Sequence, residues 1–270
     1  MFTTFITDCR DDNARARQES RVASLLKTNT SFIGVSSDLE AGLHLIDILD
    51  ATEGRPGIIL VNVAPRGGHT VQWENGTPFG YFWYKETLVV ASVDGHALSA
   101  VKALGLTDHV ALLDTHSAAT AILDAGFVDT EAADRIPTTQ FRSFDFTPRV
   151  AAFIFTGGIV PTEAYALENI PELPRAIWHI DNFGNCKTTL ISADLAGDAE
   201  LTTRFGTLSH VAKLRDLPDN TSAVVTGSSG LGHTRFLELM AQRGNFARLH
   251  NAQIGDDVFT ETSHFRQATN

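Results

Sequence analysis

The chain has 270 residues, 43% hydrophobic and 20% charged, enough to bury the core of one large or two small domains. Its 21 basic and 32 acidic side chains leave a net charge of −11 and a pI near 5.3, which argues against nucleic acid or an anionic membrane as a general partner, because phosphate is contacted mainly by Lys and Arg. No apolar run approaches the ~20 residues a bilayer span needs, Met1–Asp8 has neither the basic start nor the apolar core of a signal, and Cys9 and Cys186 show no metal-type spacing, so a cytoplasmic protein with reduced thiols is expected.

Phe2–Thr7 has strand character and runs into the polar stretch Asp8–Asn13. Ala14–Lys27 follows with Val22, Leu25 and Leu26 at helical spacing. Strand, polar loop and helix open an α/β domain. Ser31–Val35 predicts a second strand and Leu39–Leu49 a second helix. Ile58–Val63 is a continuous apolar run, suited to a strand buried on both faces. Strands are predicted at Tyr81–Tyr84, Thr87–Ala91 and Val110–Leu113, and helices at Ala97–Leu104, Ala118–Leu123 and Thr147–Phe155, the last with Pro148 at a helix-entry position. The Pro-containing stretch 161–174 is the expected linker between a domain at 1–160 and another at 175–270. Beyond it the pattern turns to strands at Ile177–Ile180, Lys187–Ile191, Ser209–Leu214, Ser222–Thr226 and Phe236–Met240. The fold class is therefore α/β: an N-terminal α/β domain with a mainly parallel or mixed central sheet, and a smaller C-terminal antiparallel, barrel-like β domain.

Four stretches carry chemistry. Asp8, at the tip of the first strand, is placed to accept both hydroxyls of a ribose; the competing reading is a set of carboxylates capping a helix. Val61–Gly68 ends a strand in a Gly-containing loop, either a plain turn or an anion cradle. Asp181-Asn182-Phe183-Gly184-Asn185 tips a hairpin with a carboxylate, an aromatic ring and an amide. It is an ordinary turn, or a platform on which Phe183 stacks a flat ring while Asp181 and Asn185 hold polar groups at its edge. Gly227–Gly232 has glycine spacing without the Lys-Ser/Thr of a phosphate loop. The histidines include no HExxH, and no Gly-x-Ser-x-Gly elbow is present.

Ile180–Asn185, Ile-Asp-Asn-Phe-Gly-Asn, closely resembles the Ile-Asp-x-Phe-Gly-Asn signature of the S-adenosylmethionine hydroxide adenosyltransferases, relatives of the fluorinase and chlorinase enzymes. Thr7-Asp8 is similar to the start of that family's Thr-Asp-Phe-Gly-x-x-Asp, with Cys9-Arg10 for Phe-Gly and Asn13 for the second Asp. Pro65 and Gly68 match Val-Val-Asp-Pro-Gly-Val-Gly, but Ala64 stands at its catalytic Asp, and the family's nearby Arg meets Thr70–Gln72. Thr139, Phe146 and Pro148 match Thr-Phe-His-Gly-Arg-Asp-x-Phe-Ala-Pro, with Phe141 at its His. Ser228 falls in a stretch that resembles Asn-Ser-x-Gly.

The resemblance implies S-adenosylmethionine as substrate or ligand, no separate cofactor and no metal. The implied reaction displaces methionine at ribose C5′ with water to give adenosine, in a homotrimer whose site joins neighbouring subunits. It assigns Asp8 and Asn13 to the ribose, Asp181 to the methionine ammonium, Phe183 to stacking, and Asn185 and Ser228 to adenine. The alternative is a binding paralogue without turnover, since Ala64 and Phe141 replace water-activating groups. Arg66, His69 and Arg142 are candidate replacements.

Overall fold

A computed structural model describes residues 1–64, 76–195 and 200–259. It divides into two compact units, Met1–Glu172 and Leu173–Asn270. The first runs β1 (Phe2–Thr7), α1 (Asp12–Leu26), β2 (Asn29–Gly34), α2 (Asp38–Thr52), β3 (Gly57–Asn62), β4 (Phe79–Tyr84), β5 (Thr87–Ser92), α3 (Ser99–Ala103), β6 (His109–Leu113), α4 (Thr115–Asp124), α5 (Thr130–Arg135), α6 (Arg142–Asp145), α7 (Thr147–Phe155) and β7 (Thr162–Ala166).

Its seven strands form one mixed sheet in the order β2-β1-β3-β5-β4-β6-β7. β2, β1, β3 and β5 are mutually parallel, while β4, β6 and β7 pair antiparallel with their neighbours. β3 is buried on both faces, as its unbroken apolar run requires: Ile58 and Leu60 join Phe5 and Val22 on the side of α1 and α7, and Ile59 and Val61 are equally inaccessible. α2 packs with α3 and against β1 and β3.

Local chemistry sets the helix ends. Asp11 caps α1 by accepting from the Ala14 amide at 3.0 Å. Ser37 caps α2, its hydroxyl accepting from the Glu40 amide at 3.1 Å, while the Glu40 carboxylate accepts from the Ser36 amide at 2.7 Å. This reciprocal arrangement resembles a capping box, moved one residue toward the N-terminus. Ser37→Ala is expected to cost about 1 kcal/mol, read as a melting midpoint lower by roughly 2–4 °C; an unchanged midpoint would show that water serves the Glu40 amide equally well.

The expected linker 161–174 contains β7, which pairs with β6 from His109↔Ala166 to Leu113↔Thr162. The boundary between the units therefore follows Glu172. β7 lies at the sheet edge with an exposed, unpatterned sequence, so no burial alternation marks it.

The second unit comprises β8 (Ile177–Ile180), β9 (Cys186–Ile191), β10 (Glu200–Thr203), β11 (Gly206–Val211), β12 (Ser222–Leu231), β13 (Thr234–Ala241) and α8 (Phe246–His250). Its six-stranded sheet has the order β10-β11-β12-β13-β9-β8 and is antiparallel except for the β11–β12 pair. The core gathers Ile177, Cys186, Leu190, Val224, Leu237, Leu239 and Phe246. The chain is thus α/β with an appended β unit. No described helix is long and apolar enough to cross a membrane.

Candidate functional site

The parallel part of the first sheet defines a crevice. β1 connects through α1 to β2 on one side, and β2 connects through α2 to β3 on the other side of β1. The strand order thus reverses between β1 and β3, and the carboxyl ends of those strands are where open α/β sheets bind ligands. Asp8 follows β1 at this point, half-buried. Its Oδ2 accepts from the Ala64 amide at 3.2 Å, and its own amide donates to the Asn62 carbonyl at 3.3 Å. Beneath it the buried Thr7 hydroxyl accepts from the Cys9 amide at 3.1 Å and from Asn62 Nδ2 at 3.3 Å. These bonds fix the tip of β1 to the end of β3, leaving a carboxylate at the mouth of the crevice.

Cys9 lies against this carboxylate, its Sγ 3.7 Å from Asp8 Oδ1, and burial followed by the charge of Asp8 raises its pKa. That favours the protonated thiol, an inert neighbour rather than a nucleophile. Asn13 is exposed in the first turn of α1. Asp8 bonds to Ala64 and Asn62, while capping of α1 belongs to Asp11. Asn62 was legible in the sequence only as a polar residue within the otherwise apolar run Ile58–Val63.

At the place of the expected water-activating groups, Ala64 contributes only its backbone amide to Asp8. Phe141 stacks on Phe144 with ring centroids 5.7 Å apart and lies under the Arg17 guanidinium at 5.0 Å. Arg66 and His69 lie outside the described residues, as do Pro65 and Gly68.

In the second unit, β8 and β9 pair antiparallel, with Ile180 opposite Cys186, and carry the turn Asp181–Asn185 at their tip. Asp181 organises that turn. Its Oδ1 accepts from the amides of Phe183 at 2.8 Å and Asn185 at 3.0 Å, and its Oδ2 accepts from Asn185 Nδ2 at 2.9 Å. The backbone closes with Asp181 donating to the Asn185 carbonyl and Gly184 to the Asp181 carbonyl, both at 3.0 Å. An aspartate that bonds backbone two residues on is the usual mechanism of such a turn, so Asp181 has a structural task in the free protein. Three donors occupy its oxygens, where an ionised carboxylate offers about four lone-pair sites.

Burial pushes the Asp181 pKa up, but the bonds from Asn185, Phe183 and Gly184 outweigh it and hold the carboxyl below its ordinary value. A depressed folded-state pKa stabilises the fold at pH above the unfolded value, and that contribution is lost as pH falls through the folded one. Hydrogen exchange of the Phe183 and Asn185 amides is therefore expected to stay slow above the ordinary carboxylate range and to lose protection on acidification below it, after correction for intrinsic rates. Protection that does not change with pH would remove the carboxylate from the turn.

The turn holds Phe183 outward, 68% exposed. Gly184 adopts φ +84° and packs directly on Asn245, whose Oδ1 caps α8 by accepting from the Arg248 amide at 2.7 Å. The Gly184 carbonyl accepts from the Ala247 amide at 3.0 Å. Asn245 thus braces the tip from behind. Nothing local in the sequence connects Asn245 to the hairpin.

Ser228 is exposed on β12, in a stretch where the β12–β13 register shifts between Thr226 and Gly230, and its carbonyl accepts from Arg235 Nη1 at 3.0 Å. Nearby, the Lys187 ammonium donates to Ser229 Oγ at 2.5 Å and stands 5.4 Å from the Trp178 ring centroid. Cys186 is fully buried, and burial, followed by the charges of Asp181 and Asp256, pushes its thiol up to about 12. Within the second unit the fold therefore clusters Asp181, Phe183 and Asn185 on one turn and sets Ser228 on β12, which β13 separates from β9.

No family model and no curated protein matches this chain. Solved structures do resemble it. An uncharacterized conserved protein from Thermotoga maritima superposes with a TM-score of 0.65 at 16% identity, covering 94% of this chain and 97% of that one. A conserved hypothetical protein from Thermus thermophilus gives a TM-score of 0.57 at 16% identity, covering 94% and 96%. At this identity the likeness establishes a shared fold.

Proposed function

We propose that the chain binds S-adenosylmethionine and displaces methionine from ribose C5′ with water, releasing adenosine, as a cytoplasmic homotrimer of the S-adenosylmethionine hydroxide adenosyltransferase type. The observation that carries this reading is the hairpin tip. The Ile180–Asn185 motif is built as a hydrogen-bonded turn that fixes the backbone beneath an exposed aromatic ring. An exposed ring on an already ordered backbone suits stacking of adenine, because little backbone freedom remains to be lost on binding. The position of Asp8 at the switch point supports the ribose assignment.

In this reading Asp8 accepts the ribose hydroxyls, with Asn13 beside them, and Phe183 stacks on the base. Asn185 and Ser228 orient the adenine edge. Asp181 receives the methionine ammonium through its remaining acceptor capacity. The resemblance puts the Asp8 side of the pocket on one subunit and the Asp181 side on its neighbour. A sulfonium is already a good leaving group, so the protein's main task is to align water with C5′ in a desolvated site.

A second reading, binding without turnover, is favoured by Ala64 and Phe141, neither of which can take a proton from water. Calorimetric titration of the full chain with S-adenosylmethionine, followed by assay of the same sample for adenosine and methionine, separates the two. Binding with release of both products is the expected result. Binding with neither product formed would favour the second reading, and absence of binding to both S-adenosylmethionine and adenosine would overturn both.

A further inference from the structure

A cavity of about 590 Å³ opens in the first unit where β6 ends, α4 begins and β7 starts. It shares none of the residues assigned to adenosyl recognition. Arg142, at the start of α6, enters its wall. The guanidinium lies over the Phe79 ring, 5.3 Å from its centroid, and packs against Gly76 so closely that a Cβ there would come 2.8 Å from Nη2. The left-handed φ of +72° at Gly76 demands glycine as well. The arginine is thus held in place by an aromatic face and a bare backbone.

Among the described residues no carboxylate pairs with Arg142, and burial lowers its pKa without an opposing charge. Even so, a guanidinium remains protonated. A half-buried charge with no carboxylate partner among the described residues gains from a ligand that completes it. Its planar fork suits the two oxygens of a carboxylate.

The remaining wall sets the ligand's other end. Asp114 and Glu163 both line the cavity, and neither forms an ion pair with Arg142. Asp114 caps α4, accepting from the Ser117 amide at 2.8 Å, and that bond leads the interactions holding its carboxyl below the ordinary range. One cation and two carboxylates in the same wall disfavour a phosphate dianion and favour a ligand that carries both signs. Leu112 adds an apolar wall, and Thr115 a hydroxyl.

We propose that this cavity binds a small zwitterion of the α-amino acid class, Arg142 taking the carboxylate and Asp114, with Glu163, taking the ammonium.

The test is calorimetric titration of the full chain with the proteinogenic L-amino acids, propionate and inorganic phosphate. At least one amino acid is expected to bind more tightly than propionate or phosphate. Arg142→Met should weaken that amino acid and propionate alike, roughly 10- to 100-fold. Asp114→Asn keeps a side-chain cap but loses the charge, so it should weaken the amino acid and spare propionate. Arg142→Lys retains the charge without the fork and should recover part of the affinity. It also keeps the question answerable if the Met variant fails to fold. Tighter binding of phosphate, no binding by any amino acid, or amino-acid affinity unmoved in both Arg142 variants would overturn the proposal.

Discussion

Asp8→Ala is expected to lower affinity for S-adenosylmethionine at least about 100-fold, because two charge-assisted hydrogen bonds to the ribose hydroxyls, each worth about 1.5–3 kcal/mol, would be lost together. The carboxylate is placed for this by backbone bonds at the switch point: its Oδ2 meets the Ala64 amide, and its own amide meets the Asn62 carbonyl. Ala64 is exposed, so water can replace the lost acceptor, and the effect on its own bond should be small. Titration with adenosine and with 2′,3′-dideoxyadenosine isolates the ribose contribution. The variant should weaken adenosine strongly and the dideoxy compound little. Equal affinity of wild type and variant for S-adenosylmethionine would end the ribose assignment, and equal losses for both nucleosides would show that Asp8 acts on the shape of the crevice instead.

Gly184→Ala should strongly destabilise the second unit. At φ +84° a β-carbon strains the backbone, and here it would also overlap the Asn245 side chain. Asn245 cannot retreat freely, since its Oδ1 holds the Arg248 amide at the start of α8. The left-handed conformation costs about 1–2 kcal/mol, and a lost cap costs about 1 kcal/mol more. Together with the crowding, the expected destabilisation is about 3 kcal/mol. In a unit of this size that lowers the melting midpoint by roughly 10 °C or more. The same change should loosen Phe183 and Asn185, which the turn positions, so affinity for adenine-containing ligands should fall in the folded variant too. A thermal scan followed by titration below the transition measures both. Unchanged stability would show that Asn245 can vacate the space without cost, and unchanged affinity would separate the tip from ligand binding.

These two residues illustrate what a sequence makes legible. Gly184 stands in a recognisable turn, and the need for a flexible residue there could be read from its neighbours. That it must also admit Asn245 could not, because the contact joins a hairpin to a helix start far along the chain. Several elements were silent for a related reason. β7 is an exposed edge strand with no buried face to impose alternation. α5 and α6 have six and four residues, too short to display a helical period. Asp181 read equally as a turn residue and as a ligand contact, because a carboxylate in a turn looks the same in sequence whether or not its oxygens are occupied; the fold shows three donors on them, holding the turn.

Sequence by itself determined the α/β class, the double burial of Ile58–Val61, the hairpin at Asp181–Asn185 and the change to strands beyond residue 174. Each of these follows from interactions among near neighbours in the chain: side-chain periodicity, turn residues and caps. Tertiary structure alone decided which strands adjoin, and so that Asp8 meets Ala64 at a switch point, that Gly184 meets Asn245, and that Arg142 lies on Phe79 beside a cavity. Those meetings join distant residues, whose encounter depends on how whole faces bury together; a local pattern records that a side chain is apolar, charged or small, but not what will stand opposite it.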